Sequence, residues 1–153
     1  MLDRLDKLFD EVSDLQNRLL LIVGPVGSGK TKLLRSLGER RGTVPVHLGA
    51  ALGRKLLGLS QRQRHLQAGS LFREVVDTHA PNDPLLLDNI ELLFDASLTL
   101  NPLELLRQRG HARRVVAVWP GDLRAGRLTY AQMGHPEYQD YPAQGLVVLE
   151  AQQ

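Results

Sequence analysis

Gly24, Pro25, Val26, Gly27, Ser28, Gly29, Lys30 and Thr31 satisfy the spacing Gly-x-x-x-x-Gly-Lys-[Ser/Thr]. They follow an apolar run, residues 19–23, and precede a helical pattern, which is the context in which this spacing binds phosphate. The glycines let the backbone curl with its N–H groups pointing inward, and a helix opening at Lys30 adds the positive end of its dipole. Such a concavity suits the α- and β-phosphates of a nucleotide. Lys30 is then placed to span the β- and γ-phosphates, and the Thr31 hydroxyl to ligate a Mg²⁺ ion. Lys32, one residue further, completes the candidate nucleotide-binding set.

A second constellation lies at residues 85–88, three leucines followed by Asp88. A short buried strand ending in a carboxylate, in a chain that already carries a phosphate loop, supplies the acid on the metal side of the site. This strand is therefore expected near residues 19–23 in space. Hydrolysis also needs a group that orients or deprotonates the attacking water. In many ATPases that group is the acid directly after the aspartate, but here the position is Asn89, and the nearest carboxylate is Glu91. An amide can hydrogen-bond a water and cannot take its proton. Either Glu91 reaches across the turn, or turnover is slow.

The densest basic cluster is Arg107, Arg109, His111, Arg113 and Arg114, with Arg124 and Arg127 following. Arg113 and Arg114 are candidates for an arginine supplied in trans to a neighbouring subunit's phosphates. Contact with a nucleic-acid backbone is a second use for the same charges, and compensation of a helix dipole on a solvated face is a third.

The elements that must position these residues follow from periodicity. Leu2, Leu5, Leu8, Phe9, Val12 and Leu15 form one apolar stripe, giving an amphipathic N-terminal helix within residues 1–17 that packs on the domain's own sheet or docks a neighbour. Residues 19–23 read as a central parallel strand. The helix from Lys30 ends at Arg40, Arg41 and Gly42. Residues 44–48 read as a strand and 49–59 as loose helical turns. Ser60 and Gln63 have capping-box spacing before a long helix that Pro81 and Pro84 must end. Residues 94–100 read as a connection. Asn101, Pro102 and Glu104 then open a helix that Gly110 closes. Residues 115–118 read as a buried strand, 128–144 as irregular, and 146–149 as a last strand. At the tip of the 115–118 strand, where a γ-phosphate sensor often sits, Pro120 has no N–H to donate.

At 153 residues the chain is the size of one domain, too short for a nucleotide-binding core with a sizeable lid. It has no cysteine, no run of about eighteen apolar residues and a mixed-charge start without a leader pattern, so a cytoplasmic protein with no membrane partner is expected. The net charge is only +2, and the pI of 9.2 reflects the excess of arginine over lysine. Overall charge therefore gives no argument for nucleic acid. The expected fold is α/β: a five-stranded, mainly parallel sheet flanked by helices, of order 5-1-4-3-2 when the strands are counted along the chain.

The phosphate loop near the N-terminus, the Leu-Leu-Leu-Asp-Asn-Ile-Glu-Leu-Leu-Phe-Asp run at residues 85–95, and the strand ending Trp119, Pro120, Gly121 resemble the BrxF family of small P-loop proteins from bacterial BREX (bacteriophage exclusion) defence systems. The resemblance covers almost the whole chain, and its distinctive part is the 85–95 run. It implies an AAA+/ASCE-like P-loop core, binding and hydrolysis of ATP with Mg²⁺, and partners among the other BREX components. It carries Lys30, Thr31, Asp88 and Glu91 over to nucleotide, metal and water handling. A lidless domain exposes its γ-phosphate unless another subunit supplies the missing arginine, so a homo-oligomeric ATPase is the leading expectation. A nucleotide-responsive binding module with little turnover is its rival, and a small-molecule kinase a third.

Overall fold

The computed structural model describes residues 1–152. In chain order the elements are α1 (Leu2–Val12), β1 (Leu19–Val23), α2 (Lys30–Arg41), β2 (Val46–His47), α3 (Leu48–Leu57) and α4 (Gln61–His79). They continue with β3 (Leu85–Asp88), two short 3₁₀ turns (Glu91–Phe94 and Ala96–Leu98), α5 (Pro102–Ala112) and β4 (Val115–Val118). The chain closes with β5 (Asp122–Arg124), β6 (Arg127–Tyr130), β7 (Gln139–Pro142) and β8 (Val147–Glu150).

Five strands form one parallel sheet in the order β2-β3-β4-β1-β8, and β5, β6 and β7 form a separate antiparallel sheet. The sequence-based numbering counted five strands. The structure has eight, because β5 at Asp122–Arg124 is added, and the stretch expected to be irregular at 128–144 carries most of β6 and all of β7, so the strand beside β1 is the eighth. Strands of three or four residues with half-exposed, mixed side chains carry little periodicity, which is why this small sheet is silent in the sequence.

All five residues of β1 are buried, as a strand covered on both faces requires. Alternate residues divide between two cores. Leu19, Leu21 and Val23 face α3, α4, α5 and Trp119, whereas Leu20 and Ile22 face α1 and α2. The stripe on α1 places Leu5, Phe9 and Val12 in that second core, so this helix packs on its own sheet. The helix stops at Val12, short of residue 17: Ser13 Oγ donates to Phe9 O at 2.9 Å, and Leu15 is left half-exposed.

Several terminators act as the sequence suggests, and one does not. Ser60 and Gln63 form a reciprocal capping box, Gly42 caps α2 at φ 73°, and Asn101 Oδ1 accepts from the Glu104 N–H at 3.2 Å. Gly110, expected to close α5, lies inside it. A Cβ there would come within 3.1 Å of Leu19 Cβ, so this glycine serves the close approach of helix to strand. The loose turns expected at 49–59 are the regular helix α3, and β2 is two residues rather than five.

Phe9 is fully buried between two guanidiniums, Arg41 at 4.5 Å and Arg114 at 4.6 Å from its ring centre. Arg41 also pairs with Asp6 at 2.5 Å and Asp10 at 3.0 Å, and its hydrogen bond to Asp6 is the main reason that carboxyl is held below the usual carboxylate range. A carboxyl depressed by folding stabilises above its unfolded pKa and loses that contribution as pH falls through the folded value. Two outcomes are expected in urea melts. Phe9→Ala lowers stability by about 3–5 kcal/mol. Asp6→Asn is less stable than the parent at neutral pH, and the difference closes on acidification below about pH 4.

Candidate functional site

Because the five strands of the main sheet are parallel, their C-terminal ends collect along one edge. Val23, His47, Asp88, Val118 and Glu150 are the last residues of β1, β2, β3, β4 and β8. The loop of residues 24–29 leaves that edge from β1 and enters α2 at Lys30. Gly27 and Gly29 both adopt φ 82°, a left-handed conformation that L side chains resist. Gly24 is confined differently. A Cβ on it would lie 2.7 Å from Ala151 O and 2.7 Å from Ser28 Oγ, so only hydrogen fits.

α2 begins with no acidic residue in its first turn, which leaves the positive end of its dipole uncompensated by carboxylates. Lys30 Nζ donates to Gly24 O at 2.5 Å, so the ammonium folds back over the loop. Ser28 Oγ is buried with no hydrogen-bond partner among the described residues. Val26 is 95% exposed at the loop's outer turn. Lys32 is exposed on α2 and does not line the adjoining cavity.

That cavity, of about 540 Å³, is lined by Lys30, Thr31, Asp88, Asn89 and Glu91 among others. The expected nucleotide, metal and water-handling residues therefore meet in one concavity, although β4 intervenes between β1 and β3. Asp88 Oδ1 accepts from the Asn89 N–H at 2.8 Å, which leaves its other oxygen for a further ligand. Glu91 is exposed at the start of a 3₁₀ turn, and among the described residues no hydrogen bond orients it. Pro120 also lines the cavity, where it offers no N–H.

Sequence reasoning missed His47. It caps α3, its Nδ1 accepting from the Ala50 N–H at 3.1 Å, and its Nε2 lies 2.8 Å from the Asn89 side-chain amide. The Asn89 side-chain nitrogen faces Nε2. Because an Nδ1 that accepts leaves the proton of a neutral ring on Nε2, turning this amide so that Oδ1 faces the ring makes the hydrogen bond, and the backbone oxygen of Asn89 is separate from it. Asn89 itself sits at φ 56°, and its carbonyl oxygen accepts from the Gly49 N–H at 3.0 Å. The amide after Asp88 is thus tied to the start of α3 through both backbone and side chain. The only sequence signal for His47 is its place at the end of an apolar run beside a strand that ends in an acid.

Tyr130, from the small sheet, reaches the same cavity and stacks on Phe94 at 3.9 Å. Burial raises its hydroxyl pKa, with Glu137 and Glu91 adding repulsion. Phe94 also meets Trp119 edge-on at 5.2 Å, and Trp119 Nε1 donates to Thr129 O at 3.0 Å. These rings fasten the small sheet to the turn after Asp88.

Arg113 and Arg114, the candidates for a trans-acting role, precede β4 and so lie at the opposite edge of the sheet from the 24–29 loop. Arg113 donates to Ala80 O and Asn82 O, and Arg114 pairs with Asp83 at 2.5 Å and covers Phe9. Both are committed within their own chain, and neither is near that chain's own candidate site. Arg109 pairs with Asp77 at 3.8 Å.

No group of three or more His, Cys, Asp or Glu suited to a metal occurs among the described residues. The oxygen donors Thr31 and Asp88 fit Mg²⁺, which binds through one or two protein oxygens with phosphate and water completing its shell.

The left-handed backbone at Asn89 gives a local test. In thermal melts Asn89→Gly is expected to stay within about 0.5 kcal/mol of the parent, whereas Asn89→Val loses about 1–3 kcal/mol, since a β-branched residue is strained there.

Comparison with protein-family models, with curated proteins and with solved structures finds no match to this chain.

Proposed function

We propose that this chain is a P-loop NTPase with an AAA+/ASCE-like core that binds ATP with Mg²⁺ and hydrolyses it slowly, as an oligomer within a BREX anti-phage defence system. The strand order, written 5-1-4-3-2 when only main-sheet strands are counted, belongs to this reading. The observation that carries it is the convergence of Lys30, Thr31 and Asp88 on one cavity beside a loop that has no room for a side chain at Gly24 and holds Gly27 and Gly29 in the left-handed backbone that glycine favours.

In this reading a phosphate takes the place of Gly24 O as acceptor for Lys30, and the loop N–H groups with the α2 dipole hold the β-phosphate. Thr31 and Asp88 would hold a Mg²⁺ ion, which would supply neutralisation of phosphate charge. Glu91 is the nearest base for water, and the absence of a hydrogen bond orienting it accounts for slow turnover. The place in BREX follows from the resemblance of residues 85–95 and 119–121, and a cytoplasmic location accompanies it. No described helix is long and apolar enough to cross a membrane.

A second reading, a nucleotide-responsive assembly module with little hydrolysis, is favoured by one observation. Asn89 stands where an acid would act and is tied to α3 through His47 and Gly49, so a change at the site reaches a helix directly. DNA contact has weaker support, because Arg109, Arg113 and Arg114 are held by partners within the chain.

Calorimetry and phosphate release test both readings. Lys30→Ala is expected to weaken Mg·ATP binding by about 30- to 100-fold, the loss of a charge-assisted contact. Specific activity of the parent should rise with protein concentration across a dilution series, and Glu91→Gln should lower it at least about tenfold with ATP affinity preserved. Activity that is undetectable and indifferent to Glu91, with ATP still bound, selects the assembly module. Failure to bind any nucleoside triphosphate rejects both.

A further inference from the structure

A second cavity, of about 350 Å³, opens on the other flank of the phosphate loop. Gly24 and Pro25 form one wall, Val23, Leu123 and Ala151 give it an apolar floor, and Asp122, Arg124, Glu150 and Gln152 supply its polar groups. It lies between the end of β8 and the start of the small antiparallel sheet, so it exists because that sheet, rather than a helix, fills the crossover from β4 to β8. The side chains of Asp122, Arg124 and Glu150 make no ion pair or hydrogen bond among the described residues. Two carboxylates and a guanidinium thus share the rim of one cavity with their bonding capacity unspent.

We infer that this cavity is a ribonucleoside subsite in which Glu150 and Asp122 accept hydrogen bonds from the 2′- and 3′-hydroxyls of a nucleotide's ribose. The inference rests on the phosphate-loop reading and deepens it. Lys30, Thr31 and Asp88 all lie on the β3 and β4 side of the loop, which assigns that flank to the γ-phosphate and metal. A triphosphate is a linear chain, so its nucleoside end leaves toward the opposite flank, where β8 borders β1. The cavity there has the volume of a small-ligand site. Carboxylates at its rim are hydrogen-bond acceptors only, and the vicinal hydroxyls of ribose are donors that match them. Arg124 on the same cavity offsets part of their charge, which lessens the repulsion of an anionic ligand from the loop next to it. Cavity walls with no aromatic residue point to recognition through the sugar rather than through base stacking.

The experiment is titration calorimetry with Mg²⁺ and four ligands: tripolyphosphate, ATP, 2′-deoxy-ATP and 3′-deoxy-ATP. The parent is expected to bind ATP about tenfold more tightly than either deoxy analogue, the usual penalty for one lost hydrogen bond to a charged group. In the double variant Glu150→Gln, Asp122→Asn that preference should shrink to about twofold or less, while tripolyphosphate affinity stays within about twofold of the parent. Both residues are exposed, so the variant keeps the fold. Equal binding of ATP and its deoxy analogues by the parent, or full discrimination retained by the double variant, overturns the subsite and leaves the phosphate loop standing. Failure of the parent to bind both tripolyphosphate and ATP overturns the loop reading and the subsite with it.

Discussion

The site depends on parallel pairing. A strand that must run the same way as its neighbour cannot return through a tight turn, so each connection crosses over the sheet and the strand ends gather on one edge. At that edge β1 delivers a loop with glycine at its tightest points, and β3 delivers a carboxylate. The central strands carry this arrangement because β1, β3 and β4 are buried on both faces between the two cores. Their near-continuous apolar runs leave little freedom of placement.

The connection from β4 to β8 is where the fold acquires its own character. Gly121 packs against the Thr129 backbone with no room for a side chain, and the β5–β6 turn places Ala125 at φ 49° and Gly126 at φ 76°. These are the two positive angles of a tight hairpin whose twist matches the strands on either side. The hairpin brings Tyr130 to one flank of the 24–29 loop and Asp122 with Arg124 to the other. One small sheet therefore borders both cavities.

Much of this was legible in the amino-acid sequence, for identifiable reasons. The Gly24–Thr31 spacing, the apolar strands and the caps at Ser60, Asn101 and Gly42 are local signals, and each is realised locally. What escaped depends on distant pairing. His47 becomes a site residue only because β2 lies beside β3 with His47 opposite Asp88. β6 and β7 contain too few buried positions to show alternation. Arg113 and Arg114 look free in a basic cluster and are not, since Ala80, Asn82 and Asp83 are brought to them by the loop before β3. Gly110 reads as a terminator when only its own helix is considered, and as a contact glycine once Leu19 is placed against it.

Trp119 is the chain's only tryptophan, and it is completely buried beside Phe94, Thr129 and Tyr141 at the seam between the two sheets. Its indole emission therefore originates from a single place, one residue before the proline that lines the cavity. Any loosening of the small sheet would let water reach that ring and shift its spectrum to the red. The protein thus carries a built-in optical gauge of how tightly its β4–β8 crossover is seated, with no label required.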